Sequence, residues 1–416
     1  MRKLTAIRLI LVLGLFTTAA VFMFRGDCNA RESSKRYVLK IGGTWSLTGA
    51  YAIDMQAEIQ GYKDYVRYVN DKKLLGRNVE LRVLWGDDAL NASKAISIFQ
   101  DLKAQGILTF CTHATPVNLA LKKFLWEAQM MATTTGPSPA TMKMPSSICS
   151  VYSVYTDQGG AVIDWFMENW KKDRAPRFAY LTVDHPFGRQ CICDQLTNYL
   201  KKKGMQFVGM QFVPLVVTSP PTAQLLWLKE HGVDLTFGCM TQTAVQPTLK
   251  EAYRLGMGPG RQYEIVFSFA YPAIIGNVAK QLGTVADGMV VGGSQPSWQE
   301  NVPGIKLCKE LQHRYHPNRF IEYPMYIYGV VEAMVHVEAV RLALEKVSSP
   351  DQLTPEIVLK EGLYRIRNFS TGGLTESPLS FGPDRLYGPE RVRLDQVQAG
   401  KQVKLGYWPI HYLFPH

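Results

Sequence analysis

The sequence predicts an α/β protein with two similar lobes, each built on a mostly parallel sheet flanked by helices. Short apolar strands alternate with helices of about a dozen residues, which indicates βαβ units and parallel strand pairing. Beyond its N-terminal segment the chain still has about 380 residues, and a chain of this length usually forms more than one hydrophobic core. Both halves repeat the same β–α rhythm, so we expect two lobes of the same kind.

The first half begins with a short apolar strand and continues in strict alternation. Ile59, Tyr62 and Val66 recur at helical spacing, whereas residues 79–85 alternate as a half-buried strand does. The predicted elements are a strand at 38–42, a helix at 58–70, a strand at 79–85, a helix at 91–105, a strand at 107–111 and a helix at 117–129.

The second half continues the pattern, with strands predicted at 178–183, 207–213 and 235–237 and helices at 188–203, 222–231 and 244–255. Cys191 and Cys193 both fall in the helix at 188–203, where a spacing of two points their side chains to different faces. We therefore expect no metal or redox pair there. The chain has seven cysteines, too few for a disulfide scaffold, although a single disulfide stays open.

The N-terminus has the pattern of a secretory signal. Basic residues around Arg2 and Lys3 precede an uncharged, mostly apolar run at 9–24, and a polar stretch follows at 31–36. We assign 1–30 to this signal and expect export. A retained anchor and a lipid on Cys28 are the alternatives that would tether the protein, and Asp27 disfavours the lipid because lipoprotein signals want small or apolar residues there.

The composition is that of a globular protein, with 46% hydrophobic and 19% charged residues and a net charge of +11. Such a charge can favour nucleic acid, but the basic residues are scattered, and the longest run, 201–203, sits at a predicted helix end. We therefore expect no nucleic-acid partner. No motif suggests a cofactor, and Asp87-Asp88, a candidate metal pair at a strand end before a helix, is better explained by helix capping, so we expect no metal site.

Three loops that follow strands of the first half are rich in hydroxyls and small residues. Ligands of parallel α/β sheets bind at the carboxyl ends of the strands, where free backbone N–H groups at helix starts suit a carboxylate. Helix capping explains any one such loop, but three together favour a site. The candidate residues here are Thr48, Ala114, Thr115, Thr135 and Gly136.

The corresponding loops of the second half carry aromatic and amide side chains instead of charges. Phe187 and Tyr271 stand at loop positions where an aromatic ring either stacks on a ligand or packs in the hydrophobic core of the lobe. Both interpretations stay open. Gln242 is a further ligand candidate. We expect Trp298 to serve packing.

The order of short motifs along the chain resembles one family. The motifs are Thr48-Gly49, Gly86-Asp87-Asp88-Ala89 with Ser93-Lys94-Ala95, Asp157-Gln158-Gly159, Phe187-Gly188, Gly232-Val233-Asp234, the stretch 249–256, Asp287-Gly288-Met289 and the stretch 326–344. In order and spacing they resemble the periplasmic leucine/isoleucine/valine-binding proteins, the receptors of branched-chain amino-acid ABC transporters. The resemblance runs from about residue 37 to residue 408.

This resemblance implies a type I binding protein whose lobes are joined by a hinge of three crossing strands, near Val154, Val291 and Gly372. Lobe I would comprise 37–154 plus 292–371, and lobe II 155–291 plus 372–412. The protein would be a periplasmic monomer that captures a small amino-acid-like, amide or carboxylate ligand by hinge closure. Its partners would be an ABC permease and the ATPase subunits. An exported sensor that reports its ligand to a membrane signalling partner is the alternative.

The family's ligand residues carry over only in part. Ala114-Thr115 matches the hydroxyl loop that holds the ligand carboxylate, and Thr135-Gly136 matches the second such loop up to Pro137. Members that bind amino acids place an acidic residue in the loop that here reads 268–271 and lacks one. A buried ammonium without a counter-charge is costly, which argues against an α-amino acid unless Asp54 or Asp184 substitutes.

Enzymatic motifs are absent from the sequence: it has no G-x-S-x-G, H-E-x-x-H, Walker or C-x-x-C motif. His113 lies in a candidate loop and has the chemistry of a base, but no nucleophile is spaced to serve it. We therefore expect a binding protein and not an enzyme.

Overall fold

The computed structural model describes residues 35–49 and 51–413. The predicted signal segment, with Cys28, lies outside these residues. Within them, no helix is both long and apolar enough to cross a bilayer. The six cysteines of the described part of the chain are all free, so the disulfide that the sequence left open is not found there.

Two sheets organise the chain. The first has five strands in the order β2-β1-β3-β4-β5, all parallel. The second has seven in the order β12-β11-β10-β9-β8-β6-β7, parallel except that β11 runs antiparallel to both of its neighbours, β10 and β12. The strands are β1 Tyr37–Trp45, β2 Val79–Asp87, β3 Ile107–Thr112, β4 Ala132–Thr134, β5 Ile148–Ser150, β6 Arg177–Val183, β7 Gln206–Val213, β8 Leu235–Cys239, β9 Val266–Ala270, β10 Val290–Gly292, β11 Arg391–Gln398 and β12 Lys401–Pro409.

Helices follow most strands and cover the sheets, which confirms the predicted fold class. The α-helices are α1 Ala52–Lys72, α2 Ala92–Ala104, α3 Thr115–Glu127, α4 Pro139–Met142, α5 Tyr155–Asn169, α6 Asp194–Lys202, α7 Thr222–Glu230, α8 Gln242–Arg254, α9 Ile275–Leu282, α10 Pro303–Tyr315, α11 Pro324–Leu344 and α12 Pro355–Ile357. A short π-helix at Val358–Gly362 and 3₁₀ turns at Gly188–Cys191, Gly283–Ala286, Pro350–Gln352 and Leu363–Arg365 complete the set.

The chain passes between the two sheets three times. It leaves the first sheet after β5 and enters α5, which packs on strands of the second sheet. After β10 it returns, and α10 and α11 pack on α1. The segment 366–390 then leads back to β11. The residue numbers at which one lobe ends and the other begins stay a prediction.

One predicted helix is wrong in its extent. The stretch 188–203 is not continuous: a 3₁₀ turn ends at Cys191, Ile192 and Cys193 are extended, and α6 begins at Asp194. The Cys193 sulfur accepts a bond from the Leu196 N–H at 3.4 Å and so caps α6. A cysteine in the place of the usual Ser or Asp hides this helix start from a sequence pattern.

Two glycines let α1 and α11 pack with their backbones almost in contact. A Cβ on Gly61 would lie 2.1 Å from the Tyr326 carbonyl oxygen, and one on Gly329 would lie 1.8 Å from that of Glu58. Larger side chains at these positions would separate the helices. The close approach fixes the position of α1, whose first two turns carry Asp54 and Glu58.

Candidate ligand-binding site

A small cavity lies between the carboxyl ends of strands from both sheets. Its volume is about 30 Å³, which is room for one or two water molecules. Its lining comes from the loops after β3, β4, β6 and β9 and from the starts of α1, α5 and α11. The residues are Tyr51, Asp54, Met55, His113, Ala114, Thr115, Thr135, Gly136, Tyr155, Phe187, Tyr271, Pro272 and Met325.

Most of the candidate residues named from the sequence come together here. Six of the eight line the same cavity: Ala114, Thr115, Thr135, Gly136, Phe187 and Tyr271. They meet because the carboxyl ends of parallel strands lie along one edge of each sheet and the two edges face each other. Thr48 and Gln242 are not among the lining residues.

Thr48 has a local structural role. Its side chain is exposed, and its hydroxyl donates to Asp87 Oδ2 at 2.8 Å. Asp87 Oδ1 accepts from the Leu47 N–H at 2.9 Å, so the carboxylate ties the loop after β1 to the end of β2. The structure therefore does not bring Thr48 together with the other candidates.

Gln242 lies behind the lining residues and connects two helices that cover different sheets. It is the first residue of α8, and its Nε2 donates to Asp54 Oδ1 of α1 at 3.1 Å. The same amide also bonds the Tyr323 hydroxyl and Asn277. Gln242 thus acts on the cavity through Asp54.

The start of α3 presents unused donors to the cavity. Its N-cap is Ala114, whose side chain has no oxygen to cap the first N–H groups. The next residue, Thr115, is buried, and its hydroxyl makes no hydrogen bond of ordinary geometry within the described structure, although the Tyr155 phenol lies beside it. An N-terminus without a cap, next to a free hydroxyl, suits an anionic group.

His113 adds a second unused donor. Its Nε2 accepts from the Ser46 N–H at 3.1 Å, so the proton of the neutral ring sits on Nδ1. Burial lowers the pKa of this imidazole and keeps it neutral. Nδ1 has no hydrogen-bond partner among the described residues, and the side chain lines the cavity. The sequence had suggested His113 only as a base.

Thr135 and Gly136 hold the opposite wall. The Thr135 hydroxyl donates to Glu58 Oε2 at 3.2 Å, and the Gly136 N–H donates to Thr134 Oγ1 at 2.8 Å. A Cβ on Gly136 would lie 2.1 Å from the His113 carbonyl oxygen. The Thr135 hydroxyl and the Gly136 N–H are therefore already in use, and Gly136 serves close packing of the two loops.

Asp54 supplies the negative group of the cavity. It is buried, it lines the cavity, and burial raises its pKa from 3.8 to about 6 although Tyr323 and Gln242 bond to it. The other acid suggested by the sequence, Asp184, has a largely exposed side chain that pairs with Arg189 at 2.6 Å and does not line the cavity.

An apolar wall completes the cavity. Tyr155 and Phe187 meet edge to face, with ring centroids 5.5 Å apart. The Tyr271 ring stacks on Tyr328 at 4.3 Å, and its hydroxyl contacts the sulfur of Met325 at 3.3 Å. Phe187 and Tyr271 therefore both line the cavity and pack on the interior, and the sequence had left these two interpretations open.

Sequence reasoning missed several lining residues: Tyr51, Met55, Tyr155, Pro272 and Met325. Tyr51 and Met55 flank Asp54 at the start of α1, and Tyr155 opens α5. An aromatic at a helix start after a strand was a usable signal for these two tyrosines. No local pattern pointed to Met325, which reaches the cavity only through the packing of α11 on α1.

Ser46, His113 and Asp88 lie together but not in the order of a hydrolase triad. Asp88 Oδ1 accepts from the Ser46 hydroxyl at 2.5 Å, and Asp88 Oδ2 accepts from Thr44 at 2.7 Å. In a triad the carboxylate bonds the histidine nitrogen that faces away from the serine. Here that nitrogen, Nδ1, has no hydrogen-bond partner among the described residues, so Asp88 does not bond the ring as a triad carboxylate does.

A family model described as periplasmic binding protein matches residues 38–363. This chain belongs to the periplasmic binding protein family. The family consists of substrate-binding receptors and not enzymes, and the resemblance read from the motif order is confirmed. A comparison with the sequences of curated proteins finds no match.

Several solved structures share the fold. A branched-chain amino-acid ABC transporter protein from Thermus thermophilus with bound valine is 22% identical, with a TM-score of 0.81 over 91% of this chain and 98% of that one. A solute-binding protein from Rhodopseudomonas palustris in complex with 3,4-dihydroxybenzoic acid is 16% identical, with a TM-score of 0.71 over 90% and 98%. A leucine-binding protein from Thermotoga maritima is 16% identical, with a TM-score of 0.68 over 89% and 99%.

Proposed function

We propose that this binding protein is the exported solute receptor of an ABC importer and that it captures a small zwitterionic, amino-acid-like ligand. The observation that carries the proposal is the chemistry of the cavity. Two buried groups without a hydrogen-bond partner of ordinary geometry in the described structure, His113 Nδ1 and the Thr115 hydroxyl, belong to side chains that line the same cavity as the buried Asp54.

The donors of the cavity suit a carboxylate. His113 offers an N–H, Thr115 an O–H, and α3 the N–H groups that Ala114 leaves uncapped. Leaving buried donors unsatisfied costs about 1–3 kcal/mol each, and a ligand oxygen would remove that cost. Hydrogen bonds to an ionised acceptor are also stronger than neutral ones.

The acceptors of the cavity suit an ammonium or amide N–H. Asp54 supplies the carboxyl group that the loop after β9 lacks, and it does so from α1 of the other sheet. The sequence argued against an α-amino acid because the loop near Ala270 has no acidic residue. With Asp54 as the acid, this argument no longer applies. An aromatic or aliphatic acid without an N–H group would leave the buried Asp54 without a counter-charge.

Ligand capture requires the lobes to separate and close again. A cavity of about 30 Å³ is far smaller than an amino acid, whose side chain alone displaces more than one water molecule. The contact between Gln242 and Asp54 bridges α8 and α1 on one side of this cavity. Hinge motion about the three passages between the sheets would break this contact and admit the ligand.

The partners and the location follow from the family. A permease and its ATPase subunits would recognise the closed form. The N-terminal segment 1–30 would direct the protein to the periplasm, where it would act as a monomer. The fold neighbours support a transport role, since those with named ligands include proteins bound to valine and to 3,4-dihydroxybenzoic acid and one described as a fatty-acid transporter protein.

A thermal-shift screen tests the proposal. Each L-amino acid is compared with its deaminated acid and with its C-terminal amide, because these pairs remove one charged end at a time. A ligand that binds only the folded protein raises the melting temperature by mass action. We expect the zwitterion of at least one triplet to stabilise most. Equal stabilisation by the deaminated acid, or no stabilisation by any triplet, would contradict the proposal.

A further inference from the structure

A pair of buried acids lies directly behind the cavity, between α1 and α11. Glu58 and Glu332 are both 0% exposed, and their carboxyl groups are close enough to hydrogen-bond. Cys111 of β3 joins them, and one ligand atom from each of the three lies within 4.8 Å of the others. The remaining titratable groups that face the pair are neutral phenols and a thiol: Tyr62, Tyr152, Tyr271 and Cys149.

The oxygens of the pair show where a proton is needed. Glu58 Oε1 accepts from Trp45 Nε1 at 3.1 Å, and Oε2 accepts from the Thr135 hydroxyl. Glu332 Oε2 faces the Cys111 thiol at 3.1 Å, but Oε1 has no donor among the described residues. Two ionised carboxylates only accept, so they cannot bond each other. One proton between the two carboxyl groups turns one of them into a donor towards the other and removes one of two uncompensated buried charges.

We infer that Glu58 and Glu332 share a single proton and that Glu58 takes the hydrogen of the Thr135 hydroxyl. Burial raises the pKa of both groups, that of Glu332 to about 8, and the charge of Glu332 raises the pKa of Glu58 further, so the proton stays at neutral pH. Glu58 is then a positioning residue, because it decides which side of the Thr135 hydroxyl faces the cavity.

The direction of the Thr135 hydroxyl would make the cavity select between ligand groups, and this conclusion depends on the proposed function. A hydroxyl whose hydrogen is given to Glu58 offers only lone pairs to the cavity. Thr135 then accepts from a ligand N–H and repels a ligand carboxylate, which contradicts the role implied by the family resemblance. Thr135 and Asp54 together would select the amino end, while His113 and Thr115 select the carboxylate.

A metal ion is the competing explanation of the cluster, since Cys and Glu side chains bind zinc. The geometry favours a proton. Cys111 already donates towards Glu332, burial and the two carboxyl groups raise the pKa of its thiol, and a thiolate is what zinc requires. A fourth ligand is also absent from this cluster in the described structure.

The test needs no ligand, so its outcome is independent of the proposed function. Infrared spectra of the parent protein are compared with those of Glu332→Gln, whose amide mimics a protonated acid, and of Glu338→Gln, a partly exposed position on the same helix. We expect a protonated-carboxyl band in the parent protein and in Glu338→Gln that is lost in Glu332→Gln. Absence of the band, its persistence in Glu332→Gln, or a stoichiometric bound metal that Cys111→Ser removes would overturn the inference.

Thermal denaturation as a function of pH gives a second measurement. Because folding raises the pKa of Glu332 from 4.5 to about 8, the folded state binds the extra proton, and this contribution to stability is lost as pH rises through that range. Glu332→Gln is expected to reduce the decline and Glu338→Gln to keep it. Thr135→Val is expected to move the decline to higher pH, because Glu58 loses a donor. An unchanged profile in Thr135→Val would show that Glu58 does not take that hydrogen.

Discussion

Gln242 of α8 donates a hydrogen bond to Asp54 of α1 at 3.1 Å, and the contact joins helices that cover different sheets. The same carboxyl group accepts from Tyr323, and the same amide bonds Asn277. The acid that lines the cavity therefore also contacts a helix that covers the other sheet. We expect ligand binding and lobe closure to be coupled through this side chain.

Gln242→Ala is expected to shift the protein without ligand towards an open form. The change removes the bond to Asp54, and a hydrogen bond to a charged group contributes about 1.5–3 kcal/mol. Small-angle scattering should show a larger radius of gyration than in the parent protein. Gln195→Ala, at an exposed position of α6, is the control and should leave the scattering curve unchanged. A compact Gln242→Ala would show that other contacts close the lobes.

Asp54→Asn is expected to weaken binding of the amino-acid ligand about tenfold or more, because an amide does not neutralise an ammonium group. In the parent protein, affinity should rise as pH increases through about 6, the pKa to which burial raises this carboxyl group. The variant should show no such rise. Asp184→Asn, outside the cavity, should bind like the parent protein in isothermal titration.

The stability of the unliganded protein should respond to Asp54 with the opposite sign. The folded-state pKa is raised from 3.8 to about 6, so the contribution is complete below pH 3.8 and is lost as pH rises through 6. Asp54→Asn should therefore gain stability relative to the parent protein between these pH values, as measured by urea denaturation. A parallel response of stability and affinity would contradict the assignment.

Thr115→Val is expected to lower ligand affinity about fivefold to tenfold without loss of stability. The substitution keeps the shape of the side chain and removes a hydroxyl that has no partner of ordinary geometry in the described protein. The matched control is Thr236→Val in β8. The Thr236 hydroxyl is also buried without a hydrogen-bond partner in the described protein, but it lies outside the cavity. Equal affinities for the two variants would remove Thr115 from the site.

Gly329→Ala is expected to destabilise the protein by at least about 1–3 kcal/mol, the usual cost of overpacking. Its Cβ would lie 1.8 Å from the Glu58 carbonyl oxygen, so α11 must move away from α1. Gly382→Ala is the control, since a Cβ there meets no atom within 4 Å. Chemical denaturation of both variants measures the difference, and a fully stable Gly329→Ala would show that the two helices slide apart freely.

Local patterns predicted most of the elements but not all of their limits. The strand at 79–85 and the helix at 91–105 were predictable because their apolar residues repeat at periods of two and 3.6. The helix at 188–203 was wrong because Cys193 caps α6 in place of a usual capping residue. The strands β4, β5 and β10 have three residues each, too few to show a period.

The sequence by itself determined the α/β class, the two-lobed architecture and the loops that form the site. These features depend on apolar periodicity and on the order of strands, which are local properties of the chain. Tertiary structure alone decided how each side chain is used. It placed Asp54 opposite His113 and Thr115, connected Gln242 to Asp54, and brought Glu332 against Glu58 across 274 residues of chain. Hydrogen-bond direction and burial depend on atoms that are distant in sequence, so no local pattern encodes them.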